Sequence, residues 1–96
     1  MEDLIGTAAD DADVIKDSTT ESFEADVIQA SNEVPVVVDF WAPWCSPCLQ
    51  LAPILEEIAE EMKDQIVIAK HNIDDHPNQP SRFGVKGIPT MLLFKN

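Results

Sequence analysis

The stretch that decides the fold is Trp41-Ala42-Pro43-Trp44-Cys45-Ser46-Pro47-Cys48, which holds both cysteines and both tryptophans of the chain. An apolar run from Val34 to Phe40 precedes it, and a helical pattern from Leu49 to Met62 follows it. Two thiols separated by two residues, at the start of a helix that follows a strand, are an arrangement suited to redox chemistry. We therefore expect a strand, a turn carrying the cysteine pair and a helix in direct succession.

The chain is strongly acidic and has the length of one domain. Its 96 residues include 18 acidic and 6 basic side chains, which gives a formal net charge of −12. This charge argues against nucleic acid and against anionic membrane surfaces as partners, because both attract basic surfaces. No stretch approaches the ~20 apolar residues of a membrane span, and the first residues do not resemble a secretory signal. We predict a cytoplasmic protein, in which such a cysteine pair works as a dithiol.

The hydrophobic pattern predicts an acidic, loosely held extension over residues 1–12 and one domain over residues 13–96. β-branched and apolar runs predict strands, and an apolar stripe at helical spacing predicts helices. The predicted strands are residues 13–17, 34–40, 66–69 and 88–94, and the predicted helices are 20–31, 46–62 and a short irregular one after Pro77. This alternation is an α/β pattern, in which strands joined by full helices lie parallel.

The position of the two cysteines assigns them different chemistry. The free N–H groups of a first helical turn, together with the helix dipole, stabilise a thiolate and make it nucleophilic. We expect Cys45, nearer the helix end, to be the exposed attacking thiol. Cys48, one turn further in, is expected to be the shielded thiol that resolves the mixed disulfide.

A zinc site formed by the cysteines with His71 and His76 is the competing interpretation of the same residues. The gap between the cysteine pair and the histidine pair is longer than the about 12–15 residues of a zinc finger. The spacing therefore disfavours zinc, and we predict no metal ligands. A purely structural pair of thiols is similarly disfavoured.

Asp39 interrupts an otherwise apolar strand, and a buried carboxylate is unfavourable unless it is paired. Lys70, at the end of the neighbouring apolar strand, is the candidate partner. The pair is either a structural ion pair or a site at which Asp39 accepts a proton from Cys48 during exchange. The residues alone leave these two interpretations open.

Two tryptophans that flank the cysteines and one proline further along the chain are also informative. Trp41 is expected to pack in the core, while Trp44 is suited to an exposed contact surface for a polypeptide substrate. Pro89 begins the last strand, and the low frequency of cis X–Pro bonds, about 5–6%, favours a trans peptide there.

Together these residues resemble the thioredoxin family over about residues 13–96. The motifs that carry the resemblance are Val38-Asp39-Phe40-Trp41-Ala42, Trp44-Cys45-Ser46-Pro47-Cys48, Ala52-Pro53-Ile54-Leu55, Lys70 with Asn72-Ile73-Asp74, and Gly87-Ile88-Pro89-Thr90 with Leu93-Phe94-Lys95-Asn96. The resemblance implies a three-layer α/β/α fold around a central mixed sheet. It further implies that Pro89 is cis and faces the cysteines, and that Asp39 and Lys70 handle protons. The substrate-binding residues that it implies are Trp44, Ser46, Pro47, Gly87, Ile88 and Pro89.

Three departures from the family pattern qualify these expectations. Ser46 stands where the family usually has glycine, and Leu49 stands where it usually has lysine. The family fold also continues with one antiparallel strand and one helix beyond the position of Asn96. Without them, strand 88–94 has an open edge and part of one sheet face is uncovered, so we expect self-association, either as a homodimer through that edge or by strand exchange between copies. The alternative is that the chain rearranges to cover this face itself, for example with the N-terminal extension.

The leading functional hypothesis is a protein-disulfide reductant that binds no cofactor and receives electrons from NADPH through a thioredoxin reductase. Its other partners are disulfide-containing proteins. The alternative is the thioredoxin-like domain of a bacterial co-chaperone, which holds unfolded clients; the apolar Leu49 in Cys48-Leu49-Gln50-Leu51 fits that class. A redox-inactive fragment of the fold is the third hypothesis.

Overall fold

A computed structural model describes residues 15–96 of the chain. The predicted extension over residues 1–12, and the first two residues of the predicted domain, lie outside the described residues. The strands are β1 (Ile15–Ser18), β2 (Val36–Trp41), β3 (Val67–Asn72) and β4 (Thr90–Phe94). The helices are α1, formed by a π-helix at Glu24–Gln29 that continues as a 3-10 helix at Ala30–Asn32, then α2 (Ser46–Glu61) and α3 (Asn78–Arg82).

The four described strands form one mixed sheet in the order β1-β3-β2-β4. β3 runs parallel to both β1 and β2, with Asp39 of β2 opposite Lys70 of β3. β4 runs antiparallel to β2, with Met91 opposite Asp39. The predicted α/β fold with a mixed central sheet is therefore confirmed, and β2 lies in its interior, where an apolar run on both faces belongs.

Helices cover both faces of the sheet, as a three-layer fold requires. On one face, Val36, Val38 and Phe40 of β2 pack with Phe23 and Val27 of the α1 region in a fully buried cluster. On the other face, Leu55 and Ala59 of α2 pack against Ile68 of β3, with Val37 beside them. Successive residues of β2 thus point to opposite layers, which places Asp39 and Trp41 on the face that α2 covers.

The first helix differs from its prediction, which placed it over residues 20–31. It begins later because Thr19 and Ser22 bond to each other first: the Ser22 N–H donates to Thr19 Oγ1 at 3.0 Å, and the Thr19 N–H donates to Ser22 Oγ at 2.9 Å. Hydroxyl side chains at such positions compete with the helical pattern and favour caps and turns. The helix that follows buries Phe23 and Val27 against the sheet.

The apolar stripe of α2 is only partly covered. Leu55 and Ala59 are buried, whereas Ile54 and Ile58 are 52% and 37% exposed. On the same side of the molecule β4 presents Met91 and Leu93, which are 46% and 63% exposed. Ile54 and Ile58 remain exposed because α2 packs over β3 and leaves the β4 side open. No helix in residues 15–96 combines the length and apolar character of a membrane span.

Candidate active site

The two cysteines lie where β2 passes into α2. The Cys45 N–H donates to the carbonyl of Ala42 at 3.1 Å, which closes the turn before the helix. Cys45 is the N-cap residue, with extended backbone angles of φ −89° and ψ 101°, and Pro47 stands in the first turn, where a missing N–H is tolerated. Cys45 and Cys48 form a disulfide with their Cα atoms 5.2 Å apart.

The first turn of α2 is built to stabilise negative charge on Cys45 sulfur. The backbone N–H of Cys48 donates to Cys45 Sγ at 3.2 Å, and this first turn contains no acidic side chain. Once the disulfide is reduced, an N–H aimed at that sulfur and the positive end of the helix dipole favour the thiolate. Cys48 lies within the helix, and its sulfur does not receive this N–H. The two thiols are therefore chemically different.

The expectation that Cys45 is the more exposed thiol is wrong for this disulfide form. Both Cys45 and Cys48 are 4% exposed. They form a cluster with Ala42, against which Trp41, Ile73 and Ile88 pack. The difference between the two sulfurs therefore comes from their positions relative to the helix N-terminus rather than from solvent contact.

Asp39 is a buried carboxyl group on the face of β2 that α2 covers. It is 2% exposed, and its Oδ1 atom has no hydrogen-bond partner among residues 15–96. Burial raises the pKa of Asp39 above its ordinary value, and the positive charge of Lys70 partly opposes this rise. A buried carboxyl group with a raised pKa is able to accept a proton and to return it.

Lys70 does not form the contact ion pair with Asp39 that one interpretation of the sequence required. Its Cα lies opposite that of Asp39 across the strands, but its ammonium lies 4.5 Å from the centroid of the Trp41 ring. The side chain is long enough to extend past its neighbour toward the end of the sheet, where it reaches the indole and remains partly hydrated. Lys70 therefore influences Asp39 through its charge and not through a hydrogen bond to Oδ1.

The loop before β4 faces the cysteines. The Ile88–Pro89 peptide bond is cis, in agreement with the resemblance and against the general frequency of X–Pro bonds. Ile88 packs against the cluster of Cys45, Cys48 and Ala42. The side chain of Thr90 donates to the carbonyl of Gly87, which closes this loop.

A cavity of about 300 Å³ shares Ile73 and Ile88 with the residues that pack against the cysteines. Its lining brings together several predicted substrate-binding residues with residues that were not predicted. The lining residues are Trp44, Ile73, Pro80, Val85, Lys86, Gly87 and Ile88. Ser46 and Pro47 are exposed at the helix N-terminus between the two cysteines, and Pro89 is half-buried; none of these three residues lines this cavity.

Trp44 is held in place by a residue to which sequence reasoning assigned no separate role. Its side chain is 67% exposed, and its indole Nε1–H donates to Asp74 Oδ2 at 2.9 Å. The Asp74 N–H in turn donates to Asn72 Oδ1 at 2.9 Å. The only signal for Asp74 was its place in a family motif, because contacts between residues far apart in the chain have no local pattern.

The histidines considered as zinc ligands lie away from the cysteines. His71 is fully buried beside Phe23 and Phe40, and its ring centroid is 5.6 Å from that of His76. Its Nδ1 lies 3.4 Å from Ser18 Oγ, and burial lowers the pKa of His71. Within the described part of the chain, no three His, Cys, Asp or Glu side chains form a group able to hold a metal ion.

Comparison with known proteins agrees with this geometry. The family model described as Thioredoxin matches residues 14–96. A thioredoxin of Acidithiobacillus ferridurans is 54% identical over 84 residues, which cover 88% of this chain and 76% of that protein. A thioredoxin of Rhodospirillum rubrum is 50% identical over 82 residues, covering 85% and 77%. A thioredoxin of Rickettsia bellii is 49% identical over 78 residues, covering 81% and 72%.

The helix-capping cysteine pair in a disulfide, the mixed sheet behind it and these matches agree with one another. The chain belongs to the thioredoxin family, whose members are protein thiol–disulfide oxidoreductases.

Proposed function

We propose that this protein reduces disulfide bonds in other proteins through Cys45 and Cys48, with Cys45 attacking and Cys48 resolving. The observation that carries the proposal is the Cys48 N–H donated to Cys45 Sγ at 3.2 Å, at the N-terminus of α2. This contact favours the thiolate on Cys45, and the thiolate is the nucleophile in disulfide exchange.

The exchange proceeds in two balanced steps. The Cys45 thiolate attacks one sulfur of the substrate disulfide, so that a mixed disulfide forms and one substrate thiolate leaves. Cys48, which loses its proton, then attacks Cys45 Sγ; the intramolecular disulfide forms and the second substrate thiolate leaves. Two electrons pass from the dithiol to the substrate, and the substrate sulfurs take up two protons. The Cα separation of 5.2 Å lets the second step occur without unfolding the helix.

Asp39 accepts the proton of Cys48 in the second step, and Lys70 moderates the basicity of that carboxyl. Burial of Asp39 at 2% exposure and its unpartnered Oδ1 support this assignment. Burial raises the pKa of Asp39, and a carboxylate with a raised pKa accepts a proton more readily than an ordinary one. A structural ion pair is less well supported, because the Lys70 ammonium lies over Trp41.

The substrate polypeptide binds across the surface around the disulfide. We assign Trp44, Ser46, Pro47, Gly87, Ile88 and Pro89 to this surface. The exposed indole of Trp44 supplies apolar contact area, held by Asp74. Ile88, beside the cysteines and half-buried, offers its backbone to an extended substrate strand.

The supply of electrons is assigned by family membership. A thioredoxin reductase, using NADPH, returns the Cys45–Cys48 disulfide to the dithiol, and the protein itself binds no cofactor. The cytoplasm, where thiols are kept reduced, is the compartment that suits this cycle.

Self-association through β4 is a further proposal. β4 is an edge of the described sheet, with β2 as its neighbour, and Met91 and Leu93 on it are exposed. An apolar strand with a free edge is a template for pairing with a second copy. Light scattering should show a mass that rises toward that of a dimer with concentration, and a monomer at high micromolar concentration would contradict the proposal.

The catalytic proposal is tested by following NADPH oxidation with a thioredoxin reductase and a disulfide-containing protein. Wild type should turn over, and both Cys45→Ser and Cys48→Ser should lose turnover by at least about 10³-fold. Glu57→Gln, on the exposed face of α2, retains both thiols and serves as the control, with turnover preserved. The co-chaperone alternative is not favoured by the comparisons; suppression of client aggregation by both cysteine variants, without turnover in wild type, would reinstate it.

A further inference from the structure

Three charged side chains form a row across the parallel part of the sheet. Lys70 of β3 has its Cα opposite that of Asp17 in β1 and opposite that of Asp39 in β2. Residues in register on neighbouring strands project to the same face of a sheet. The backbone position of Lys70 therefore has a carboxyl-bearing residue on each side.

The Lys70 ammonium contacts the ring of Trp41 rather than a carboxylate of either neighbouring strand. Lys70 Nζ lies 4.5 Å from the centroid of the Trp41 ring, within the distance at which a cation is attracted to an indole face. Trp41 is two residues beyond Asp39 on β2, and so it shares the face with Asp39 and Lys70. Asp39 Oδ1 meanwhile has no hydrogen-bond partner in residues 15–96.

Trp41 also packs against the thiol site. It contacts the cluster of Cys45, Cys48 and Ala42, and its carbonyl accepts from the N–H of Ile73 at 3.0 Å. One indole thus touches both the disulfide cluster and the Lys70 ammonium. This places the ring between the thiols and the cation that influences Asp39.

Several carboxylates near Lys70 could attract its ammonium away from the Trp41 ring. A cavity of about 270 Å³ lies beside it. The charged or titratable residues that line it with Lys70 are Asp17 from β1 and Asp75 and His76 from the segment after β3. Exposed Asp17 and Asp75 attract a cation weakly, because water screens them. Buried Asp39 attracts it more strongly, so a freed ammonium moves toward Asp39.

We propose that Trp41 is a positioning residue for the thiol chemistry, whose indole face holds the Lys70 ammonium at the cavity rim and away from the Asp39 carboxyl. This inference rests on the proposed function, in which Asp39 exchanges a proton with Cys48. Trp41 acts through Lys70 and touches no substrate in this account. Its packing against the cysteines is a separate, structural contribution.

The test compares Trp41→Leu with Trp41→Phe in the full chain. Both substitutions shrink the side chain and retain an apolar group, but only phenylalanine keeps an aromatic face for the ammonium. The pKa of Asp39 is followed in the oxidised protein by the carbon-13 NMR shift of its carboxyl group. Trp41→Leu should lower this pKa by roughly half a unit to one unit, whereas Trp41→Phe should stay close to wild type.

Lys70→Met supplies the second arm of the experiment. Without the ammonium, the Leu and Phe variants at position 41 should give the same pKa for Asp39. If Trp41→Leu and Trp41→Phe give equal pKa values for Asp39 while Lys70 is present, the inference is overturned, because the ring would then act by packing alone. A difference that persists in the Lys70→Met background would also overturn it.

A measurement on the wild type keeps the inference testable if Trp41→Leu does not fold. The Cε protons of Lys70 should be shifted upfield by the indole ring relative to those of Lys16 and Lys95, and the absence of such a shift would contradict the proposal. These readouts need no turnover. Failure of wild type to reduce disulfides would refute the proposed function, while failure of the NMR predictions would refute only the placement of Lys70 by Trp41.

Discussion

At the scale of single residues, Asp39 makes a contribution to stability that changes with pH. Burial raises its pKa above the ordinary 3.8. A group with a raised folded-state pKa stabilises the fold at pH values below its unfolded pKa, and this contribution is lost as pH rises through the folded pKa. Above the folded-state pKa the protein therefore contains an unfavourable buried carboxylate.

Asp39→Asn should consequently raise the free energy of unfolding at pH 8 by about 1–3 kcal/mol. The gain should shrink as the pH falls and should vanish below 3.8, where the carboxyl becomes protonated in both states. Urea unfolding at several pH values measures this difference. Asp75→Asn, at an exposed site, is the control, and an equal gain in that variant would contradict the assignment to burial.

His71 has the opposite pH dependence. It is fully buried, its Nε2 has no hydrogen-bond partner in the described residues, and burial lowers its pKa below 6.5. Its stabilising contribution is present above pH 6.5 and is lost as pH falls from there toward the folded-state value, because the unfolded chain takes up a proton first.

His71→Leu should therefore make unfolding less sensitive to acid. Between pH 7 and pH 5 the stability of wild type relative to the variant should fall by up to about 1.4 kcal/mol per pH unit. The Ser18 hydroxyl loses its neighbour in the variant at every pH, so the slope rather than the absolute value is diagnostic. Parallel pH profiles of the two proteins would show that His71 is not the titrating group.

At the scale of elements, alternate residues of β4 should respond differently to truncation. Leu92 packs against the buried cluster around Phe23, whereas Leu93 on the opposite face is 63% exposed. Leu92→Ala should lower the free energy of unfolding by about 2–4 kcal/mol, and Leu93→Ala by less than about 1 kcal/mol. Urea titrations at low protein concentration make the comparison. Equal losses would mean that the Leu93 face is covered.

The elements also show what the sequence predicted and what it did not. The β-branched run before Cys45 and the apolar spacing around Leu55 predicted β2 and α2 to within a few residues. The late start of α1 was missed because Thr19 and Ser22 bond to each other. The contact between Lys70 and Trp41 was missed because it depends on strand register, which hydrophobic periodicity does not specify between parallel strands.

The active site also contains features that the sequence predicted and features that it did not. The spacing of Cys45 and Cys48 at a helix start predicted the redox pair, since the helix terminus itself supplies the chemistry. The cis geometry before Pro89 came only from the family resemblance, because the isomer is chosen by tertiary contacts. Burial of His71 was not predicted, because the predicted strand ended at residue 69 whereas β3 continues through the polar residues to Asn72.

At the scale of the whole molecule, the net charge of −12 should destabilise the compact state through self-repulsion. Salt screens such repulsion, with a Debye length of about 30 Å at 0.01 M and about 10 Å at 0.1 M. The melting temperature should therefore rise between these two concentrations of sodium chloride. The melting temperature of the Glu57→Lys variant, whose substitution is on the exposed face of α2, should rise less with salt. A melting temperature that falls with salt in both proteins would contradict this account.

The central claim is that Cys45 attacks and Cys48 resolves, and capture of the mixed disulfide tests it most directly. Reduced Cys48→Ser and reduced Cys45→Ser are each mixed with a disulfide-containing protein, quenched with acid and analysed by intact mass spectrometry. Cys48→Ser should accumulate a covalent complex through Cys45, because the helix N-terminus favours that thiolate. Cys45→Ser should accumulate little. Preferential capture by Cys45→Ser, or equal capture by both variants, would contradict the account.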